Sequence, residues 1–471
     1  MRAVAPRTVG PVADEHPVGA LSRRARGDAA VRVGAMAALW GSLLLVTLWW
    51  VSDRGAQDLT SWSTGLTSLG RLSGLVASVL LLAQVVLMAR VPVLERAFGQ
   101  DRLAHQHRLV GFTSFNLMVL HVVAVTWGYA AGEVLRTPAT LWDLTVDYPG
   151  MLLAVAGAGC LCLVVLTSIK RARRRLRYES WHLLHLYAYL GVGLSLPHQL
   201  WTGEQFVGSA ARTVFWWTAW ALAAVTVLVF RVGKPLRLNL RHRLQVASVH
   251  PEGPSTWSVY LTGHHLDRLP VEAGQFFVWR FLGRAGWTRA NPYSLSAAPD
   301  GRSLRITVQS VGDGSGSVRN LRPGARALVE GPYGRLGARA RTRPRVAMIG
   351  AGVGTAPLRA LAEGLDYRPG EAVLIERFCS HPLFAREIDL LAQERGLDVV
   401  RLPGHRRHPG SWLGDGIDAV DDATALVGWV PDLVERDVYV CGPPAWTDLV
   451  VRSVLAAGLS PDRLHLETFA W

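Results

Sequence analysis

Four histidines stand where a chain tolerates them least. "HRLVGFTSFNLMVLH" runs from His107 to His121 and is apolar almost throughout. A later apolar stretch carries His185 and His198, with His182 one turn before the first of them. An imidazole inside a bilayer is costly, rare and usually functional. A helix–helix hydrogen bond accounts for any one of them as well as a ligand role does, but four at matched depths favour ligation. His107 and His121 are fourteen residues apart, so on a helix they share roughly one face, about 21 Å apart along the axis. His185 and His198 are thirteen apart, or about 19.5 Å. Two parallel helices bring His107 level with His185 and His121 level with His198. Each pair can then clamp one planar metal macrocycle from both faces. Haem is the natural candidate, since histidine is a common axial ligand. Two competitors fit less well: His105 lies farther off the face of His121, and 182 to 198 spans about 24 Å. Thirteen residues of straight helix leave His185 and His198 off one face, and Pro197 with Gly191 and Gly193 offers a correcting kink.

The elements that must position these residues are long apolar runs. The chain has 471 residues and is half apolar, with most of the long apolar runs between 31 and 232. Six runs, roughly 32–51, 70–92, 108–130, 149–169, 181–200 and 212–232, approach or reach the length that crosses a bilayer. The fifth is interrupted by His182, His185 and His198. The net charge of +14 is concentrated in four places: "RRAR" (Arg23–Arg26), "ARVPVLERAFGQDRLAHQHR", "KRARRRLR" (Lys170–Arg177) and "RVGKPLRLNLRHR". All four fall on one side if six spans alternate. The opposite loops carry Asp53, Asp58, Glu133, Asp143, Asp147 and Glu204. This positive-inside pattern predicts a multi-pass plasma-membrane protein with both termini cytoplasmic, and it argues against a nucleic-acid partner. Residues 1–31, rich in Arg, Pro, Ala and Gly, are expected to form a disordered cytoplasmic tail with no signal peptide. Cys160, Cys162, Cys379 and Cys441 suggest neither a disulfide framework nor a zinc site.

From about residue 237 the pattern is that of a soluble protein. "LQVASVHP", "WSVYLTG", "QFFVWRF", "SLRITVQSVG" and "ARALVEGPYG" alternate like short strands, predicting a small antiparallel barrel over 237–340. Within it lie "NPYSLS" (Asn291–Ser296) and "GDGSGSVRNL" (Gly312–Leu321). Backbone N–H groups and a helix start in the second can cradle a pyrophosphate. Residues 341–471 alternate between strand and helix. "RVAMIG" is a buried strand, and "GAGVGTAPLRALAEGL" turns through Gly350, Gly352 and Gly354 into a helix whose start can face a dinucleotide. Pro357 occupies the place of the fingerprint's third small residue. "RDVYVCGPPAWTDLVVRSVL" adds a strand, a Cys-Gly-Pro turn and a helix, and the chain ends "HLETFAW".

In this order, from about residue 34 to 471, the motifs resemble the ferric reductase and NADPH oxidase superfamily, in its bacterial type. Such proteins join a six-helix, di-haem transmembrane bundle (here 32–232) to a ferredoxin–NADP reductase-like module. That module comprises an antiparallel β-barrel FAD domain (237–340) and an α/β Rossmann-like NAD(P) domain (341–471). The resemblance implies that His107, His121, His185 and His198 ligate two b-type haems. It implies that Asn291, Pro292, Tyr293, Ser294, Leu295 and Ser296 bind FAD, with Tyr293 against the ring and Ser294 bonded to it. Asn291 stands where relatives carry Arg or His, and Arg289 is the nearest substitute. Gly314, Ser315, Gly316 and Ser317 match the FAD pyrophosphate loop. Gly350, Gly352, Gly354, Thr355 and Pro357, with Cys441, Gly442 and Pro443, match the nicotinamide dinucleotide site, and Cys441 would lie near the nicotinamide. Glu467 and Phe469 match a terminal acid–x–aromatic pattern, and Trp471 is an alternative shield for the flavin. Arg71 matches an arginine lining the outer haem pocket of the oxidases, but Val125 stands where those enzymes carry a histidine. The implied activity is transfer of electrons from cytoplasmic NADPH or NADH through FAD and haem to an external acceptor. Ferric chelate is favoured, ahead of dioxygen or an extracytoplasmic redox protein. Arg377, Arg406 and Arg407 are candidates for a 2′-phosphate contact, whereas Glu376 would suit a ribose hydroxyl.

Overall fold

The computed structural model describes residues 18–468, apart from 174, 177, 204, 205, 207, 284–286, 335, 418 and 419. The chain divides into two compact units, Ala29–Arg237 and a second that comprises Leu238–Trp471 and is assigned the residues before Ala29.

The first unit is helical. Its long helices are α1 (Val18–Ser52), α2 (Trp62–Leu87), α3 (Gln100–Tyr129), α4 (Met151–Ser168), α5 (Tyr178–Thr202) and α6 (Ala210–Thr226). Among the described residues, five helices are long and apolar enough to cross a membrane: Arg26–Ser52, Trp62–Leu87, Arg102–Tyr129, Met151–Ser168 and Ala210–His242. The remaining expected span, 181–200, is also helical, running unbroken through Pro197 as part of α5. Its histidines and tyrosines dilute the apolar surface and leave it outside that set. Helix α1 begins at Val18, so residues 18–31 are helical where a disordered tail was expected. The segment is rich in Ala and Arg, both strong helix formers.

Large apolar side chains lie on the outside of this unit, among them Leu44, Phe112, Leu152 and Leu222. An apolar exterior of this extent belongs to a bilayer solvent, where each helix meets its own backbone hydrogen bonds. Helix α2 packs along α3, and α4 along α5. At the second contact a Cβ on Gly191 would stand 2.9 Å from the Gly157 carbonyl oxygen, so only a small residue allows that approach. Helix α6 continues through a π-helical turn (Val227–Gly233) into α7 (Lys234–His242).

The second unit opens with β1 (Gln245–Gly253), β2 (Thr256–Thr262), β3 (Phe276–Phe281), β4 (Asn291–Ser294), β5 (Ser303–Gln309) and β6 (Ala327–Tyr333). They form two antiparallel three-stranded sheets, β1-β2-β5 and β4-β3-β6. Single bridges, Gln245–Arg326 and Leu295–Ile306, link the two sheets. The expected single barrel is therefore not one continuous ladder. Register shifts at Val246–Ser248 and Phe276–Val278 bend the strands within the β1–β2 and β3–β6 pairs. Phe277, Trp279, Phe281 and Ile306 fill the core they enclose.

The chain then alternates through β7 (Val346–Ala351), α8 (Thr355–Gly364), β8 (Ala372–Arg377), α9 (Ala385–Arg395), β9 (Asp398–Leu402), α10 (Asp422–Trp429), β10 (Asp437–Gly442), α11 (Pro444–Ala456) and β11 (Leu464–Thr468). The sheet order is β11-β10-β7-β8-β9, all parallel. Strand order reverses between β7 and β10. Sheets of this kind bind ligands in the crevice at that point, outside the carboxyl ends of the strands.

Candidate functional site

In the helical unit, α3 is held against α2 by its own histidines. His107 Nδ1 lies 3.3 Å from the Gln84 carbonyl oxygen, and His121 Nδ1 lies 2.8 Å from that of Gly70. The two carbonyls are fourteen residues apart (84 − 70), as are the two histidines (121 − 107). Antiparallel helices with equal rise make both bonds at once. A carbonyl only accepts, so each Nδ1 carries the proton and each Nε2 keeps its lone pair. Gly74 makes room for this arrangement, since a Cβ there would stand 2.6 Å from His121 Nδ1.

The rings of His107 and His185 stand 6.0 Å apart, centre to centre. With a metal–nitrogen bond of about 2 Å on each side and a ring nitrogen about 1 Å from its centre, two imidazoles on one metal stand about 6 Å apart. His105 is exposed, and the ring facing His107 belongs to His185. Ser168 Oγ lies 3.3 Å from His185 Nδ1 and accepts the Trp181 indole N–H at 3.3 Å. His198 and His121 are near enough to interact electrostatically. His198 Nδ1 is buried, with the Ser195 backbone one turn back on the same helix nearby. Arg71 pairs with Asp58 at 3.2 Å. Val125 packs against Gly70, where an added Cβ would meet its Cγ2 at 2.6 Å.

In the second unit, β4 lies on β3, and Trp279 Nε1 donates to the Tyr293 carbonyl at 3.0 Å. Ser294 Oγ is buried and has no partner among the described residues, as a hydroxyl awaiting a ligand would be. Leu295 is part of the core. Ser296 differs from the expectation of a flavin contact. Its hydroxyl accepts from Arg305 Nε at 3.1 Å and from Thr307 Oγ1 at 2.8 Å. Ser315 folds back on its own turn, accepting from the Val311 and Gly312 N–H groups at 3.0 and 3.2 Å. Gly314 and Gly316 lie in the same helical turn (Asp313–Gly316), and Ser317 opens the next.

The glycines after β7 serve two different needs. Gly352 has φ +54° and open space around it, so its backbone conformation is the constraint. Gly354 has an ordinary φ of −61°, but a Cβ there would run into the Cys441 carbonyl. Pro357 sits in the first turn of α8, where its missing N–H has no helical acceptor to lose. Gly350, Cys441 and Glu467 are in register on β7, β10 and β11. Burial, then the nearby Glu467 charge, pushes the Cys441 thiol well above its ordinary pKa. Phe469 and Trp471 lie outside the described residues.

Next along the sheet edge, Arg377 is buried and donates from Nη2 to the Gly404 carbonyl at 3.2 Å. Arg406 is exposed in the same turn, whereas Arg407 is engaged by Asp422 at 2.7 Å. Burial raises the Glu376 carboxyl despite Arg401, which pairs with it at 2.7 Å.

Sequence reasoning missed Arg305, Arg359, Glu363 and Glu387, which meet behind the flavin motif. The available signal was an arginine in the middle of the apolar strand "SLRITVQ".

A family model described as "Ferric reductase like transmembrane component" matches residues 73–196. The chain is 28% identical over 191 residues to a flavohemoprotein of Vibrio cholerae, covering 38% of this chain and 45% of that protein. It is 29% identical over 214 residues to the ferredoxin–NAD(+) reductase component of the alkene monooxygenase system of Xanthobacter autotrophicus, covering 42% of this chain and 61% of that protein. The match thus spans less than two thirds of either relative. Among solved structures, it is similar to the FAD/NAD-binding domain of nitric oxide dioxygenase from Vibrio cholerae. That likeness has 23% identity and a TM-score of 0.37, covering 49% of this chain and 99% of that one. The chain thus combines a match to a ferric reductase-like transmembrane component with similarity to flavohemoprotein and ferredoxin–NAD(+) reductase relatives. That combination fits the fused ferric reductase-like superfamily.

Proposed function

We propose that this protein moves electrons from cytoplasmic NADPH across the plasma membrane to a ferric chelate at the outer face, with FAD and two b-type haems as resident groups. The observation that carries the reading is the pair of Nδ1–carbonyl bonds made by His107 and His121, which turn two Nε2 lone pairs toward ligation at depths set by one helix. Bound in these sites, flavin would supply the conversion of a two-electron donor into single electrons, and haem iron would carry them.

His107 with His185, and His121 with His198, would hold the two irons. Donation from Nδ1 to a carbonyl fixes each ring and raises its basicity as a ligand. Ser294 would bond the flavin, Tyr293 would lie against its ring, and the Gly314–Ser317 turn would meet its pyrophosphate. Gly352, Gly354 and the start of α8 would receive the dinucleotide pyrophosphate. Cys441 and Glu467, in register on adjacent strands, would flank the nicotinamide. Arg377 and Arg406, both at the Gly404 turn, favour a 2′-phosphate. Glu376, already paired with Arg401, is poorly placed to serve a ribose hydroxyl. Both termini would be cytoplasmic, with the membrane domain at 32–232, the FAD domain at 237–340 and the NAD(P) domain at 341–471.

Iron is favoured over dioxygen because Asp58 pairs with Arg71, and Val125 stands where the oxidases carry a histidine. A developing superoxide anion would find no net positive charge there. The test is anaerobic: purified protein with FAD and NADPH, followed through the haem absorption bands. Reduction of about two haems per chain, then reoxidation by ferric chelate faster than by air, is the expected result. Absence of haem refutes the ligand assignment. Haem that stays oxidised with both nucleotides refutes the connected chain, and faster reoxidation by air refutes the choice of iron.

A further inference from the structure

Arg305, in the middle of β5, is only 5% exposed at its side chain. Its Nη1 and Nη2 donate to the two oxygens of Glu387 on α9, at 2.8 and 2.9 Å. Its Nε donates to Ser296 Oγ at 3.1 Å, and Nη2 also donates to the Ser296 carbonyl at 2.7 Å. Arg359 on α8 donates from Nη1 to that same carbonyl at 3.2 Å and to Glu363 Oε2 at 2.5 Å. Its Nε lies 2.7 Å from Glu387 Oε2. Glu363 Oε2 accepts the Ala298 N–H at 2.6 Å. The segment just after Ser294 is therefore fastened at Ser296 and Ala298 to two helices. One of them, α8, begins at the dinucleotide loop.

Packed apolar residues would hold these elements together at less cost than buried ions. What a two-pronged guanidinium–carboxylate pair adds is a defined orientation. Burial alone would raise the Glu387 carboxyl, but the Arg305 hydrogen bond and the Arg359 and Arg305 charges hold it below its ordinary value, so it stays ionised. Arg305 is turned into Ser296, Glu387 and the Tyr260 hydroxyl, and Arg359 into Ser296, Glu363 and Glu387.

We propose that Arg305, Arg359, Glu363 and Glu387 are positioning residues for hydride transfer, registering strand β4 against helix α8 and so setting the separation of flavin and nicotinamide. The inference rests on the flavin and nicotinamide reading above. The step served moves one hydride, two electrons with a proton, from reduced nicotinamide to oxidised flavin and leaves NADP+. Displacement of reacting atoms by about 1 Å costs about a hundredfold in rate. A network fastened two residues beyond Ser294 is well placed to prevent that displacement.

The test uses the full-length holoprotein in detergent, comparing wild type with Arg305→Lys, which keeps the charge but loses the fork, and Glu387→Gln. Flavin content, NADP+ affinity, the long-wavelength charge-transfer band of reduced flavin with NADP+, and stopped-flow flavin reduction are read in parallel. Both variants are expected to keep flavin and to bind NADP+ within about twofold of wild type. They lose most of the charge-transfer band and slow flavin reduction by about 10- to 100-fold. NADP+ also slows hydrogen exchange at Ala298 in wild type and not in the variants. An unchanged band and rate with flavin bound overturns the inference, as does a rate that falls only in proportion to lost flavin. A wild-type protein that binds no flavin overturns the proposed function, and this inference with it.

Discussion

Replacing Gly354 by alanine tests the dinucleotide crevice most directly. The backbone at 354 already has a φ that alanine adopts readily, so any effect comes from the added methyl. That Cβ would stand 2.6 Å from the Cys441 carbonyl carbon and 2.9 Å from Gly442 Cα, and nearer still to the Cys441 oxygen. Ordinary carbon contacts begin at about 3.5 Å, so the two loops must part by about 0.9 Å. No flexible side chain can yield, because all three neighbours are backbone. Overpacking of this kind costs about 1–3 kcal/mol. Expressed against bound NADP+, it weakens affinity by about 5- to 150-fold. Titration calorimetry on the purified protein measures it, with haem content as the control, since the histidine pairs belong to the other compact unit. Gly352→Ala separates the two mechanisms, because its Cβ meets nothing and only the left-handed φ is penalised, by about 1–2 kcal/mol. Asparagine, which tolerates that φ, should therefore partly restore binding at 352 and do worse than alanine at 354. Affinity within twofold of wild type for Gly354→Ala would refute the reasoning.

Replacing His107 or His185 by alanine should each lower the haem content from about two to about one per chain, and a ratio that stays at two would remove them from the ligand set. Arg377→Ala should lower kcat/KM for NADPH by about tenfold with little change for NADH, and an unaltered preference would end its assignment to the 2′-phosphate. Glu387 has a folded pKa below its unfolded value, so its stabilisation is present above about pH 4.3 and is lost as pH falls through the folded value. The fall in Tm below about pH 4.3 should accordingly be shallower in Glu387→Gln than in wild type, as followed by thermal melts at stepped pH. Thiol reagents at neutral pH should label exposed Cys379 and spare Cys441, and mass spectrometry showing the reverse order would contradict the burial of Cys441.

What the sequence determined by itself is whatever depends on local periodicity and turn chemistry. Apolar length marks the membrane helices, because a bilayer imposes one thickness on every span. The fourteen-residue interval between His107 and His121 is carried by one helix, so their common face follows from its pitch. The turn through Gly350, Gly352 and Gly354 and the strands from 245 to 333 were legible for the same reason. The helical start at Val18 and the two separate sheets were not. In the first case helix propensity outweighed a polar, tail-like composition, and in the second the grouping of strands into sheets depends on pairing between remote segments, which alternation along one strand does not encode. Only the tertiary structure decided which distant partners meet. Gln84 and Gly70 offer their carbonyls to the histidines because α2 runs antiparallel to α3 at equal rise. Gly350, Cys441 and Glu467 align because the chain crosses from β9 back to β10 beside β7. Arg305 reads as a lone charge in an apolar strand until α9 brings Glu387 to it, 82 residues later. Arg407 reads as a phosphate ligand until Asp422 claims it. An arginine's role is set by which acceptor lies within about 3 Å of it, and that distance is fixed by packing between elements remote in the chain.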